Sequence, residues 1–175
     1  MKLDELTDEE LMLRVQADDS AAYQVLFNRH QRRVYGFLLR KTGRREEAAE
    51  LFQETWLKVH RARATYQAEQ RFSPWLYSIA ANTRRDAGRR QTRRIETVHV
   101  EQERAAPTPH HAERMTLEQA IAKLPEILRE AFLLGAVEGH DHNDIAEALD
   151  ISPANARRRI SRARQALREA LGVDG

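Results

Sequence analysis

The chain contains no cysteine, which excludes disulfides and thiolate metal sites. No apolar run approaches the length of a membrane span, so no membrane insertion is expected. The opening stretch, MKLDELTDEE, lacks the apolar core of a signal peptide, and a cytoplasmic location is the expectation. No nucleophile–base pair, phosphate-binding loop or metal-ligand cluster stands out. The chain therefore does not read as an enzyme: it offers no catalytic residue and implies no metal or other cofactor. Alternating apolar runs and β-branched clusters are scarce, which leaves little material for a sheet. What is present is 175 residues, 41% hydrophobic and 32% charged, enough for one medium domain or two small ones.

A net charge of +2 hides a segregated layout. Residues 1–60 carry 10 Lys/Arg against 11 Asp/Glu, and residues 61–95 carry 9 against 2. Residues 96–150 carry 4 against 12, and residues 151–175 carry 6 against 2. Two basic blocks thus flank an acidic one, a layout suited to a polyanion touched at two places.

The periodicity predicts an all-α fold. Thr7 and Glu10 form a capping box that opens a short helix with Leu11 and Val15. A longer helix follows, with Tyr23, Leu26, Phe27, Val34, Phe37 and Leu38 at helical spacing and Gly43 as its stop. The next helix, about Arg45 to Arg63, turns Ala48, Leu51, Phe52, Thr55 and Val59 inward. Its other face holds Glu50, Gln53, Glu54, Leu57 and Arg61. A leucine centred in a polar stripe marks a candidate docking surface.

After the loop ATYQAEQRF, Ser73 and Pro74 are expected to cap and start a basic helix, SPWLYSIAANTRRDAGRR. Trp75, Leu76, Ile79, Ala80, Thr83 and Ala87 form its inward face, while Asn82, Arg85 and Arg89 share another, widened by Arg84 and Arg90. Tyr66, Gln67 and Phe72 in the preceding loop add aromatic and amide groups beside arginines, the components of a single-strand base-binding surface. From Gln91 to about Ala112 no period is visible, and residues 95–112 read as a flexible linker. Two small domains are expected, residues 1–94 and 113–175. The second starts with the stripe Leu117, Ile121, Leu124, followed by a helix opened by Pro125 with Leu128, Ala131, Phe132 and Leu133.

The chain then reads ISPANARRRISRARQALREAL from Ile151 to Leu171. Asp141 can cap a helix with Asp144 three positions on, and Ile145, Ala146 and Leu149 point inward. A tight turn follows, then Ser152 as cap and Pro153 as first residue of a second helix. Helix, short turn and basic helix is the helix-turn-helix pattern. Ala156, Ile160, Ala163 and Leu167 repeat at four, three and four, so they face inward. Ala154, Asn155, Arg158, Ser161, Arg162 and Gln165 lie opposite, with Arg157, Arg159 and Arg164 flanking. Arginine pairs with guanine, and asparagine with adenine, in the major groove; the flanking arginines suit phosphates.

In this order the motifs resemble those of an extracytoplasmic-function (group IV, sigma-70 family) sigma factor of bacterial RNA polymerase. AAELFQETWLKVHRA resembles the family's core-binding helix, FSPWLYSIAANTRRDAGRR its −10 helix, and LPEILREAFLLGAVEGHDHNDIAEALDISPANARRRISRARQALRE its −35 domain. The resemblance implies that Glu50, Gln53, Glu54 and Leu57 meet the RNA polymerase core. It implies that Asn82, Arg84, Arg85 and Arg89, with the loop Tyr66, Gln67 and Phe72, hold the unpaired −10 strand of promoter DNA. Ala154, Asn155, Arg158 and Arg162 would lie against the −35 bases, with Arg157 and Arg159 on phosphates. The linker, with Glu96, Glu101 and Glu103, would thread toward the polymerase channels. An anti-sigma factor that restrains the protein is a further expectation of the resemblance.

Asp150 stands where the family's turn usually has glycine, and aspartate tolerates the left-handed conformation. His140 and His142 replace an apolar and an aromatic residue. Positions this close at a helix start rarely converge on one ion, so no metal is assigned to them. Two other readings stay open on sequence: a DNA-binding regulator using the C-terminal motif alone, and a sigma-mimicking decoy. The first has no need of the Glu50/Gln53/Glu54 face; the second has no need of the arginine-rich helix.

Overall fold

The computed structural model describes residues 2–95 and 115–173, except for the side chains of residues 84–95. All regular elements among them are helical. A 3-10 turn, Leu3–Glu5, leads to α1, Asp8–Gln16. The Thr7–Glu10 capping box forms in both directions, with Thr7 N–H donating to Glu10 Oε2 at 2.8 Å. Helix α2, Ser20–Thr42, is capped by Asp19, whose carboxylate accepts from the Ala21 and Ala22 amides. It ends at Gly43, in the left-handed conformation at φ 68°, whose amide donates to Leu39 O. Helix α3, Arg45–Ala62, and the 3-10 turn Arg63–Thr65 follow, then α4, Phe72–Ile95.

Helix α4 begins at Phe72, two residues before Pro74, the expected first position. The carboxylate of Glu9 on α1 accepts from the Phe72 amide at 3.0 Å, doing the work of an N-cap from a distant segment. Ser73 is therefore inside the first turn, and its hydroxyl is used elsewhere. Trp75, Leu76, Ala80 and Thr83 are buried as the periodicity predicts, and Ile79 is half-buried. Ala87 and the linker residues 96–112 lie outside the described side chains. Tyr77, absent from that stripe, is also buried, at 1% exposure.

The second group starts at Thr116, which forms a capping box with Gln119 at the head of α5, Leu117–Lys123. Leu117 was expected inward but is 51% exposed, because it opens α5 at its solvent end; Ile121 and Leu124 are buried. Helix α6, Glu126–Phe132, runs into a π-helical turn, Leu133–Val137. That wide turn holds Gly135, where an added Cβ would come within 3.2 Å of Ile145 Cδ1 and 3.4 Å of Ile160 Cδ1. The bare glycine lets α6 pass close to α7, His142–Leu149, and α8, Pro153–Leu171. Asp150 links these two helices at φ 53°, in the left-handed region.

The two groups are docked. Helix α4 packs along α7, and the end of α2 packs on α5 and α6. The buried residues of both groups join in one hydrophobic cluster. Polar bonds across the contact are numerous. Lys41 pairs with Glu130, their side chains 1% and 3% exposed. Arg33 donates to Glu138 Oε2 at 3.0 Å, and the Tyr77 hydroxyl donates to the same oxygen at 2.6 Å. Burial and the Glu138 carboxylate hold the Tyr77 phenol far above its ordinary range.

Candidate nucleic-acid interface

The basic face of α8 follows directly from its local sequence. Ser152 Oγ accepts from the Asn155 amide at 3.2 Å, and Pro153 takes the first helical position. Ala156, Ile160, Ala163 and Leu167 are buried. This rotates Ala154, Arg157, Arg158, Ser161, Arg162, Arg164 and Gln165 outward, where they are exposed, with Asn155 and Arg159 half-buried. Among the described residues, none of the six arginines of α8 makes a side-chain hydrogen bond or ion pair. A row of unneutralised cations costs self-repulsion and is suited to phosphates. Asn155 and Arg158, near the helix start, are placed as a recognition helix places its base-reading residues.

On α3, Glu50, Gln53 and Leu57 are exposed, Leu57 at 48%, and Glu54 is half-buried beside Lys58 at 3.6 Å. The four residues read from the sequence thus share one outward face. Beside it lies an open groove of about 790 Å³ between α2 and α3, walled mainly by Tyr23, Phe27, Phe52 and Trp56. Trp56 is 4% exposed and its indole Nε1 has no hydrogen-bond partner. The sequence reading missed the groove, although two aromatic i, i+4 pairs, Tyr23/Phe27 and Phe52/Trp56, were its signal.

The loop before α4 differs most from expectation. Tyr66 and Phe72 were read as stacking surfaces for bases, but they are 3% and 0% exposed. Their rings pack edge-on or tilted against Trp75, at 5.1 and 6.0 Å between centroids. The Tyr66 hydroxyl donates to Gln70 O, and burial, then the nearby carboxylates of Glu9, Asp8 and Glu147, push its pKa up to about 12. Gln16 on α1 pins the loop, donating to Arg63 O at 2.9 Å and Tyr66 O at 2.7 Å. Three aromatic rings sharing one small core are worth more buried than exposed. In this arrangement the loop displays Gln67, and α4 displays Asn82. The side chains of Arg84, Arg85 and Arg89 lie outside the described residues.

The far end of the loop faces α7. Gln70 Nε2 donates to Glu147 Oε1 at 2.6 Å, and Arg71 Nη1 lies 2.7 and 2.6 Å from the two carboxylate oxygens of Asp144. Asp141 caps α7, accepting from the Asn143 and Asp144 amides, which holds its carboxyl below the usual range. The sequence reading gave Asp144 a role in that cap; its side chain goes to Arg71 instead. His140 Nδ1 faces Leu134 O at 3.3 Å, so in the neutral ring Nε2 accepts from the Ser73 hydroxyl at 2.7 Å. Desolvation lowers the His140 pKa.

The sigma-70 region 2 family model matches residues 26–94, and the sigma-70 region 4 model matches residues 114–167. RNA polymerase sigma factor CarQ of Myxococcus xanthus is 40% identical over 157 residues, covering 86% of this chain and 90% of the relative. The ECF RNA polymerase sigma-E factor of Haemophilus influenzae is 33% identical over 179 residues, covering 93% and 94%. Among solved structures, sigma factor RpoE of Bartonella quintana, in complex with the anti-sigma factor NepR, has a TM-score of 0.70 at 22% identity, over 85% of this chain and 96% of that one. CnrH, in complex with the cytosolic domain of CnrY, has a TM-score of 0.71 at 22% identity, over 96% and 99%. At that identity the two structures carry the fold.

Proposed function

The chain belongs to the extracytoplasmic-function RNA polymerase sigma factors, and from that premise we propose how its surfaces divide the work of promoter recognition. Residues 1–94 form the core-binding and −10 domain, residues 113–175 the −35 domain, and residues 95–112 the linker. Helix α8 reads −35 duplex: Asn155, Arg158 and Arg162 contact base edges against the small Ala154, while Arg157 and Arg159 grip phosphates. Helix α3 docks on core polymerase through Glu50, Gln53, Glu54 and Leu57. The −10 strand is held by Gln67, Asn82 and the arginines Arg84, Arg85 and Arg89, on a loop that Tyr66 and Phe72 stiffen from inside. Capturing bases from the opened strand offsets a few kcal/mol of unstacking for each.

The unpaired arginine face of α8 carries this reading. The protein itself is assigned no catalysis; the polymerase makes the bonds. An anti-sigma partner is part of the proposal, since two solved structures of similar fold are complexes with NepR and with the cytosolic domain of CnrY. No helix among the described residues is long and apolar enough to cross a membrane; action in the cytoplasm beside DNA is part of the proposal. The test is co-elution of the purified protein with core polymerase, followed by run-off transcription from promoters selected in vitro. Failure of both would overturn the reading.

A further inference from the structure

We infer that Arg71 and Gln70 bind the backbone of the unpaired promoter strand, and that Asp144 and Glu147 of α7 occupy them in the free protein as stand-ins for strand phosphates. The inference rests on the proposed reading of this loop as part of the −10 surface. Gln70 N–H donates to Gln67 O at 3.0 Å, closing a turn. That turn brings Gln67 and Gln70 together, with Arg71 next in the chain. Gln67 is exposed, whereas the amide of Gln70 and the guanidinium of Arg71 are spent on carboxylates. A carboxylate and a phosphate offer arginine the same kind of anionic acceptor.

The occupied groups do not resemble ordinary core polar contacts. The Arg71 side chain is 64% exposed, so it reaches a carboxylate from the solvent side. Asp141 Oδ2 lies 4.0 Å from the same Nη1, adding a second anion at the rim. Ser73 and Tyr77, on the first turns of α4, continue the contact to His140 and Glu138. The acidic block of the sequence is thereby laid on the loop at the head of α4. Helix α7 is also the first helix of the helix-turn-helix. A strand that displaces Asp144 and Glu147 therefore removes two of the polar contacts that hold the −35 domain on the −10 domain. Strand capture and loss of these two pairs become one equilibrium, and the paired form lowers the apparent affinity for single strands by the fraction of molecules it holds.

The experiment uses the full chain and a fluorescein-labelled oligothymidylate of about a dozen nucleotides, a backbone probe without a promoter sequence. Anisotropy titrations at several salt concentrations compare wild type, Asp144→Asn with Glu147→Gln, and the same pair with Arg71→Ala. The carboxylate pair is expected to bind roughly tenfold tighter than wild type. Adding Arg71→Ala should weaken binding again and flatten the salt slope by about 0.7, one single-strand phosphate. Glu147 is exposed, so Glu147→Lys alone should leave the fold intact and tighten binding in the same direction. Unchanged affinity in the carboxylate variants, or no effect of Arg71→Ala once they are removed, overturns the inference. Run-off transcription with the same proteins separates the two levels. Wild type that initiates while the titrations stay flat sinks this inference alone; wild type that never initiates sinks the proposed function beneath it.

Discussion

Removing the carboxylate of Glu130 should destabilise the protein far more than removing that of Glu118, although both belong to ion pairs with α2. The Lys41 and Glu130 side chains are 1% and 3% exposed, with Lys41 Nζ also 5.4 Å over the Phe37 ring. Arg40 and Glu118 are 35% and 70% exposed and stand 3.7 Å apart. An exposed pair contributes about 0–1 kcal/mol, because water already solvates both charges. Breaking a buried pair leaves one charge desolvated and costs about 3–5 kcal/mol. Glu130→Gln and Lys41→Met are each expected in that range, and Glu118→Gln within about 0.5 kcal/mol of wild type. For a chain of this size about 2–4 °C accompanies each kcal/mol, so the two buried substitutions should lower Tm by about 6–20 °C. The double variant Lys41→Met with Glu130→Leu should recover most of the loss, since no charge is then stranded. Thermal and urea unfolding followed by circular dichroism measure all four. If Glu130→Gln costs no more than Glu118→Gln, both charges are solvated in solution. Helix α6 would then be parted from α2, and the docked arrangement would not be the resting state.

Other consequences are local. Leu57→Arg should abolish co-elution with core polymerase and leave Tm unmoved, because the side chain is 48% exposed; loss of folding, or retained binding, would refute the docking face. Arg158→Ala should cost about 1–3 kcal/mol of discrimination at one −35 base pair, whereas Arg157→Ala should weaken all duplexes alike and reduce the salt slope by about 0.9. Competition binding across a promoter library tells these apart. His140 is held below its ordinary value of 6.5 by desolvation, so between that value and its folded one the unfolded chain binds more protons. Stability is then complete above 6.5 and is lost as pH falls through that window; the slope of Tm with pH should shrink in His140→Gln, and an unchanged slope would contradict the assignment.

Much of α8 was legible because its determinants are all within a few residues. Ser152, Pro153 and the stripe Ala156, Ile160, Ala163, Leu167 settle the start and the rotation of the helix, and with them which arginines face out. The outward face of α3 was readable for the same reason. Tyr66 and Phe72 were not, because an aromatic residue in a polar loop has the same local signature whether it stacks on a base or on Trp75. Tyr77 failed differently: α4 buries two faces, and periodicity within one helix shows only the face toward its own unit. Its partner Glu138 lies 61 positions away, and Glu9 caps α4 from 63 positions away. The π-helical turn also escaped, since Gly135 reads as a weak helix residue until Ile145 and Ile160 are packed on it.

The direction of the cross-unit bonds sharpens the meaning of the segregated charge. Side-chain cations or amide donors of the first unit, Arg33, Lys41, Gln70 and Arg71, meet acids of the second, Glu138, Glu130, Glu147 and Asp144. The same acids are close in sequence to the arginines of α8, yet among the described residues they neutralise none of them. A purely solubilising acidic block would be expected to pair with the nearest cations along the chain, at i, i+4 spacing. Here it is folded against the other unit instead. The closed form therefore covers the loop at the head of α4 and leaves the recognition helix and the α3 face exposed. None of these pairs uses a residue of the α8 or α3 faces, whereas on the proposed reading a strand running past Gln67 to Arg71 must break two.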